Sequence, residues 1–587
     1  MTFKYHFFYD YDNNNVNRRF LKRIILTIII IVICVFTLLT LWKQSKDPEN
    51  AYLIIAKHGA VASELINCSH IGVDVLKEGG SAVDAAIATE LCVGTINAFS
   101  AGIGGGGLML IHLPNGTAEF IDCRETAPHI ANKRMFIKNP NSASIGGLSI
   151  GVPGEISGMK IAHERYGKLP WKRLFEPSIK LSRDGFPVDK ELDIRLKMYR
   201  NELEQDPALS AIYAPSGKLL EKGEIVYRRN FSRTLELISE NYTEFYEGSI
   251  ARSLINEING RGGIMSFDDF KNYKTIIREP VIGYYHGKKI ITTSEPTSGP
   301  PLIFMLNLLE NYEMSDNGLD ITNLHRIVET MKFGFARRTE LGDPEYFRDQ
   351  FEHETRIREI ISKEYAALVR ANVSDDQTFN PDYYNPIFDH KDDHGTTHIS
   401  VMDKNDMAVS FTSTVNLIWG SRVLDPITGI LLNDEMDDFS IPGAPNHFGL
   451  RPSPYNFVAP GKRPLSSTVP TIVENENGKV ELVTGGSGGS KILSAVLQVL
   501  LNLYDFDMSL LDAINSPRVH HQLLPNLLGI EQGLNLELVD KLLTIGHVIQ
   551  LYNIENREHS CQVNAIRKFN DGTIHAVSDY RKSGVFF

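Results

Sequence analysis

The spacing of apolar positions changes several times along the chain, and each change marks a predicted element. The first is an unbroken run: from Ile24 to Trp42, nineteen residues pass without a charge (IILTIIIIVICVFTLLTLW). As a helix this run spans roughly 28 Å, close to the hydrocarbon thickness of a bilayer. Arg18, Arg19, Lys22 and Arg23 precede it and no small-residue cleavage site follows, so it reads as an uncleaved anchor rather than a signal peptide. The positive-inside rule then places residues 1–23 in the cytosol and the bulk of the chain, from residue 43, outside it. The expectation is a single-pass type II protein of the cell membrane.

Beyond the anchor, residues 52–62 have strand character. Ser69 to Leu76 reads as a helix stopped by Gly79-Gly80, and a second helix opens at Ser81 and continues through SAVDAAIATELCVGTI. GLMLIHLPNGTAEFID alternates on both sides of Pro114-Asn115-Gly116, the pattern of a hairpin. Residues 155–270 are mainly helical, polar and charged. Residues 375–395 have no period and read as an exposed loop. TTHISVMDKNDMAVSFTST then gives two alternating strands about a polar turn. VPTIVENENGKVELVTGG gives another pair, leading into a helix from Ser490 to about Leu503. No internal repeat is visible. Strand pairs with helices on either side predict stacked sheets between helical layers, an α/β or α+β assembly.

Composition narrows the class. The 587 residues are 42% hydrophobic and 22% charged, which excludes a disordered or collagenous chain and exceeds one ordinary core. The net charge is −12; residues 1–50 contribute +3 (seven basic, four acidic), so the remainder carries −15. An acidic body argues against nucleic acid as a partner. Five cysteines are too few for a disulfide scaffold, and no CxxC pair suggests zinc. Cys34 lies in the apolar span. Cys68 and Cys92 flank the helical hairpin and could pair in an oxidising lumen, while Cys123 and Cys561 read as buried thiols. Asn67, Asn115, Asn230, Asn241 and Asn372 each begin an Asn-x-Ser/Thr sequon without proline, expected N-glycosylation sites on an extracellular domain.

Several motifs carry candidate chemistry. GIGGGG (Gly102 to Gly107) contains G-x-G-x-x-G, but its glycines precede a strand, where a dinucleotide fingerprint requires a helix. GGSGG (Gly485 to Gly489) sits between strand and helix, where backbone N–H groups can converge on an anion or oxyanion; taken alone, a tight turn explains it better. DHKDDH (Asp389 to His394) has the residue types of a metal cluster, but an acidic solvated loop accounts for it more simply. HGTTHIS (His394 to Ser400) decides the matter through its neighbours: TSTVN (Thr412 to Asn416), GILLNDEMDDFS (Gly429 to Ser440), PLSS (Pro464 to Ser467) and GGSGGS downstream, SAGIGGGG and DCRETAP (Asp122 to Pro128) upstream. In this order and spacing, from about residue 52 to the C-terminus, the chain resembles the gamma-glutamyltransferases (glutathione hydrolases), members of the N-terminal-nucleophile hydrolases, including the membrane-anchored animal type.

The resemblance implies a four-layer αββα sandwich built from two chains after self-cleavage between Gly395 and Thr396: a heavy subunit over 43–395 and a light subunit over 396–587. It implies that Thr396 attacks the Gly395 carbonyl, and that the freed α-amine, with a pKa of about 7.7–8.0, serves the hydroxyl as base. Gly395, lacking a Cβ, suits the bent backbone this attack requires. Carried over residue by residue, Thr414 orients the Thr396 hydroxyl, and Gly488 and Gly489 donate N–H groups to the oxyanion. Arg124 takes the substrate α-carboxylate with help from Ser466 and Ser467, and Asn416, Glu435 and Asp438 surround its α-ammonium. Cys68 and Cys92 would be bridged. The implied substrates are glutathione and other γ-glutamyl compounds, with water, amino acids or dipeptides as acceptors, and with no metal, nucleotide or organic cofactor.

Two rival readings are a catalytically silent glycoprotein on the same fold and a different threonine-nucleophile amidase, such as an asparaginase or acylase. Retention of every pocket residue argues against the first, and the Arg124 and PLSS pocket against the second. Ile418 replaces the tyrosine of vertebrate members, Thr397 replaces their alanine, and the loop from Ile441 to Phe448 is distinct from both vertebrate and bacterial members. Bacterial members share Thr397, and the differences at Ile418 and in the loop bear on acceptor choice rather than on chemistry.

Overall fold

Two sheets stacked face to face carry the strands that the alternating segments predict. The computed structural model describes residues 51–315, 318–389, 395–447, 449–552 and 561–582. The expected cytosolic tail and membrane span, with Cys34, lie outside these residues, as does DHKDDH apart from Asp389. Among the described residues no helix is long and apolar enough to cross a membrane.

The six-stranded sheet runs in the order Ala60–Ala62, Thr397–Met402, Ala408–Thr414, Gly106–His112, Ala118–Cys123, Ile276–Arg278. The seven-stranded sheet runs Leu53–Ala56, Ile574–Val577, Gln562–Lys568, Val480–Ser487, Thr471–Glu474, Lys288–Thr292, Val281–Tyr285. Neighbouring strands in both are antiparallel. Period-2 alternation divides each strand between two cores. Met109, Ile111, Ile399, Val401, Val409 and Phe411 pack outward against helices, including Ala82–Ile96. Leu108, Leu110, Met402 and Ala408 pack inward against Ile472, Val483 and Ile566 of the other sheet. The outer face of that second sheet is covered by the helices Gly299–Leu309, Ile321–Arg338 and Lys491–Tyr504. The result is the expected αββα layering.

Local signals account for much of this. Ser81 caps the helix Ala82–Ile96 in a reciprocal box with Asp84, at the predicted start. The preceding helix begins at Ile66, three residues earlier than its pattern suggests, with no side-chain cap. Cys68 and Cys92 are disulfide-bonded with Cα atoms 5.3 Å apart, and Cys123 and Cys561 are buried free thiols. All five sequon asparagines are exposed.

One expectation fails. Residues 375–389 are not an exposed loop throughout: Pro381 and Tyr384 are buried. The Tyr384 hydroxyl donates to Glu329 at 2.6 Å, and Asp375 takes both donors of Arg326 at 2.7 Å. An aromatic anchor and an ion pair fix a segment that has no period of its own.

Candidate active site

Thr396 stands where a loop becomes a central strand. Gly395 and Thr396 have φ values of 91° and 102°. Glycine tolerates this region, whereas a β-branched threonine is strained there at a cost of order 1–3 kcal/mol. A Cβ on Gly395 would lie 1.5 Å from the Asn416 carbonyl oxygen, so no other residue passes at that point. The Thr396 hydroxyl donates to Thr414 Oγ1 at 3.4 Å, and Thr414 Oγ1 accepts the Asn416 amide at 2.8 Å. Asn416, itself at φ 73°, donates from Nδ2 to the Asp434 carbonyl at 3.1 Å. On the other side, Lys582 Nζ donates to the Thr396 carbonyl oxygen. It also lies 3.6 Å from Glu64, which is anchored by Asn97 Nδ2 at 2.7 Å. Every one of these residues is buried.

A second group holds the charges. Arg124, only 2% exposed, leaves the strand Ala118–Cys123. Its Nη2 is 2.5 Å from Asp438 and 2.6 Å from Glu435, and its Nε donates to the Pro464 carbonyl at 2.8 Å. The sequence reading gave the arginine and the acids to opposite ends of one ligand; here they face each other directly, as opposite charges enclosed together must. Ser467 Oγ accepts from Arg338 Nη2 at 2.8 Å, while Arg338 Nε donates to Ser298 Oγ at 3.1 Å. Ser466 Oγ pairs with Thr468 Oγ1 at 3.0 Å. Asp438, Arg338, Asn456 and Leu465 line one cavity, which joins the Arg124 group to the PLSS turn. Asn433 fixes the glycine run against this wall, donating from Nδ2 to the carbonyls of Gly104 at 2.8 Å and Gly151 at 3.0 Å. A Cβ on Gly104 would sit 1.9 Å from the Leu431 carbonyl oxygen. GIGGGG therefore serves close backbone packing, and it opens a strand rather than a helix.

Gly488 and Gly489 lie between the strand Val480–Ser487 and the helix Lys491–Tyr504, at φ 133° and 65°. The same strand passes over His398, two residues beyond Thr396: a Cβ on Gly485 would fall 2.3 Å from its ring. Burial pushes His398 down to about 3. Its neutral ring bridges Thr412 Oγ1 at 2.8 Å and Ser400 Oγ at 3.1 Å. It is a strut between layers, not a base.

The site is acidic. Burial, reinforced by Asp437, Glu435 and Asp438, raises Asp434 well above the ordinary carboxylate range, and burial pushes Glu125 up to about 8. A pocket with the Arg124 and Arg338 guanidinium groups among several carboxylates suits a ligand carrying both an ammonium and a carboxylate. Lys582, Arg338, Asp434 and Glu64 escaped the sequence reading. Lys582 and Glu64 stand outside every motif with their partners remote in sequence, Arg338 follows a helix pattern that marks no site, and Asp434 sits within GILLNDEMDDFS with nothing to set it apart from its acidic neighbours.

A profile of the gamma-glutamyltranspeptidase family matches residues 68–586. The chain is 45% identical over 552 residues to glutathione hydrolase proenzyme 1 of Schizosaccharomyces pombe, covering 93% of this chain and 86% of that one. In structure it resembles the cephalosporin acylase of Bacillus halodurans, with a TM-score of 0.79, 23% identity and coverage of 91% and 96%, a likeness of fold. It also resembles the gamma-glutamyltranspeptidase of Helicobacter pylori, with a TM-score of 0.53, 30% identity and coverage of 56% and 95%.

Proposed function

The chain belongs to the gamma-glutamyltranspeptidase family, and from that membership we propose the following course of reaction for its own residues. The protein cleaves the γ-glutamyl amide of glutathione and related compounds and passes the glutamyl group to water or to the amine of an amino acid or dipeptide. The observation that carries this reading is the Thr396 hydroxyl, aimed at Thr414 and tied through Asn416 to the Asp434 carbonyl, next in sequence to Glu435, which with Asp438 encloses Arg124.

The chain first cuts itself. Thr396 Oγ1 adds to the Gly395 carbonyl carbon, the C–N bond breaks and an ester forms. Water hydrolyses the ester and leaves a free α-amine on Thr396. The left-handed conformation of Gly395 and Thr396 favours this step, because breaking the peptide bond relieves the strain. Lys582 on the Thr396 carbonyl holds the residue still while its amide is exchanged for an amine. In turnover that amine takes the hydroxyl proton as Oγ1 attacks the γ-carbonyl. The amides of Gly488 and Gly489 stabilise the oxyanion. Cysteinylglycine leaves with the proton, and the glutamyl group stays as an ester on Thr396 Oγ1. Water or an acceptor amine, giving its proton to the α-amine, then attacks that ester, and Oγ1 leaves with the proton. Arg124, Ser466 and Ser467 take the α-carboxylate; Asn416, Glu435 and Asp438 take the α-ammonium.

We further read the apolar run at 24–42 as a membrane anchor, with the site on the extracellular side and the five exposed sequon asparagines glycosylated. The single N-terminal apolar span, its basic flank and the Cys68–Cys92 disulfide support that reading. Protease protection of sealed vesicles tests the topology.

Thr396→Ala tests the chemistry. The variant is expected to remain one chain and to release no p-nitroaniline from γ-glutamyl-p-nitroanilide, while wild type runs as two fragments, the smaller beginning at Thr396. Thr396→Ser keeps a hydroxyl and should cut slowly. An active, uncut Thr396→Ala chain would overturn the assignment.

A further inference from the structure

On the far side of the seven-stranded sheet, the helix Ile321–Arg338 places His325 and Glu329 one turn apart on one face. His547 reaches them from just beyond the helix Leu536–Ile545, 222 residues away in sequence. One ligand atom from each of the three lies within 4.8 Å of the others, and all three residues are buried. We propose that His325, Glu329 and His547 form a zinc site that ties the segment before residue 395 to the segment after it.

The surroundings are those of built ligands. His325 Nε2 lies 2.8 Å from the Ser374 carbonyl oxygen, so that nitrogen carries the ring proton and Nδ1 keeps its lone pair, the outer-shell arrangement common for metal-bound imidazole. Nδ1 points at His547 Nε2, 2.8 Å away. Only one proton lies between these nitrogens. When zinc enters, that proton moves to His547 Nδ1, leaving two neutral imidazoles with lone pairs on the metal and no net change in protons. Zn–N bonds of about 2.0–2.1 Å require donor separations of roughly 3.4 Å in a tetrahedron, so the rings must part by about half an ångström. His547 follows Gly546, at φ 110°, where the chain has a natural pivot. Glu329 accepts the Tyr384 and Thr378 hydroxyls at 2.6 Å each. These bonds orient the carboxylate and leave lone pairs for a cation. Lys332, 3.6 Å from Glu329, is drawn aside by the Phe379 carbonyl at 2.9 Å and by Thr378 Oγ1 at 2.5 Å. Two imidazoles and one carboxylate, with water in the fourth place, suit zinc over the harder divalent ions.

None of the three residues belongs to the acyl-transfer site. The tie between halves rests on the proposed cut at Gly395–Thr396; the metal site itself does not. The test uses the purified full-length protein in detergent, stripped with EDTA and back-titrated with zinc sulfate against a chromogenic chelator. Wild type should bind one zinc per chain, and the Thr396→Ala chain the same, which separates the site from the processing reading. His547→Gln keeps an amide donor for His325 Nδ1 but removes the ligand. It should bind zinc at least 100-fold more weakly while turning over γ-glutamyl-p-nitroanilide at the wild-type rate. In the cut protein, zinc at a hundred times its Kd should lower the equilibrium constant for urea-induced separation of the fragments about 100-fold. Wild type that binds no zinc, or binds it no better than His547→Gln, overturns the site. Zinc bound with no effect on separation overturns the tie.

Discussion

At the scale of single residues, Arg124 carries the most demanding geometry. Its guanidinium touches two carboxylates and two backbone carbonyls in an enclosed volume, and no ammonium reproduces that planar set of donors. Arg124→Lys should therefore still mature into two fragments, while kcat/KM for glutathione falls roughly 100-fold, the loss expected for one or two charged hydrogen bonds. Steady-state kinetics on the matured variant check this; normal cutting with unchanged kinetics removes Arg124 from the pocket. Arg124, Thr396, Asn416 and the PLSS serines could be gathered into one candidate site because each sits in a short string whose neighbours single it out. Lys582 and Glu64 were not, although Lys582 donates to the Thr396 carbonyl and Glu64 lies behind it. A single lysine near position 582 looks like any surface charge until folding brings it within 3.6 Å of Glu64. For the same reason the direct pairing of Arg124 with the acids that were to share its ligand could not be read from either string.

At the scale of elements, alternation and capping gave the hairpins and the start of the helix Ala82–Ile96, because those signals are local. The segment 375–389 was misread because its order comes from contacts with Glu329 and Arg326, not from its own period. The helix Ala82–Ile96 also hides a titration. All of its residues are buried, and among them Glu90 is pushed up to about 8, by burial first and by the neighbouring Glu64 charge, against a lowering from Ser413. A carboxyl whose folded pKa exceeds its unfolded value holds a proton that the unfolded chain has already lost between about pH 4.5 and 8. Its contribution to stability is complete below that window and declines across it, by up to about 1.4 kcal/mol per pH unit for one group. Glu155, packed nearby and also raised, adds in the same direction. Glu90→Gln fixes the neutral form. Urea midpoints measured from pH 5 to 8 should fall less steeply for the variant than for wild type, its relative advantage growing with pH; parallel curves would show that Glu90 is ionised in the fold.

At the scale of the whole molecule, the position of the cut determines what it can release. Residues 396–587 supply the strands Thr397–Met402 and Ala408–Thr414 to one sheet and Thr471–Glu474, Val480–Ser487, Gln562–Lys568 and Ile574–Val577 to the other. Strands from before residue 395 flank them on both sides. Four ladders join the two parts: Ala60–Ala62 with Ser400–Met402, Gly106–His112 with Ala408–Thr414, Leu53–Ala56 with Ile574–Val577, and Lys289–Thr292 with Thr471–Glu474. Separating the fragments exposes all of those edges together with the core between the sheets, whose residues come from both parts. The Cys68–Cys92 disulfide lies within the first part, so it plays no role in retention. The matured protein should accordingly elute from gel filtration as one species, with or without reductant, the second fragment remaining with the first. In urea, near-UV circular dichroism, γ-glutamyl-p-nitroanilide turnover and fragment association should be lost at a single midpoint, because neither part retains a closed core without the other. Release of the 192-residue fragment well before the circular dichroism changes would show that the ladders are separable and that the two parts are distinct folding units.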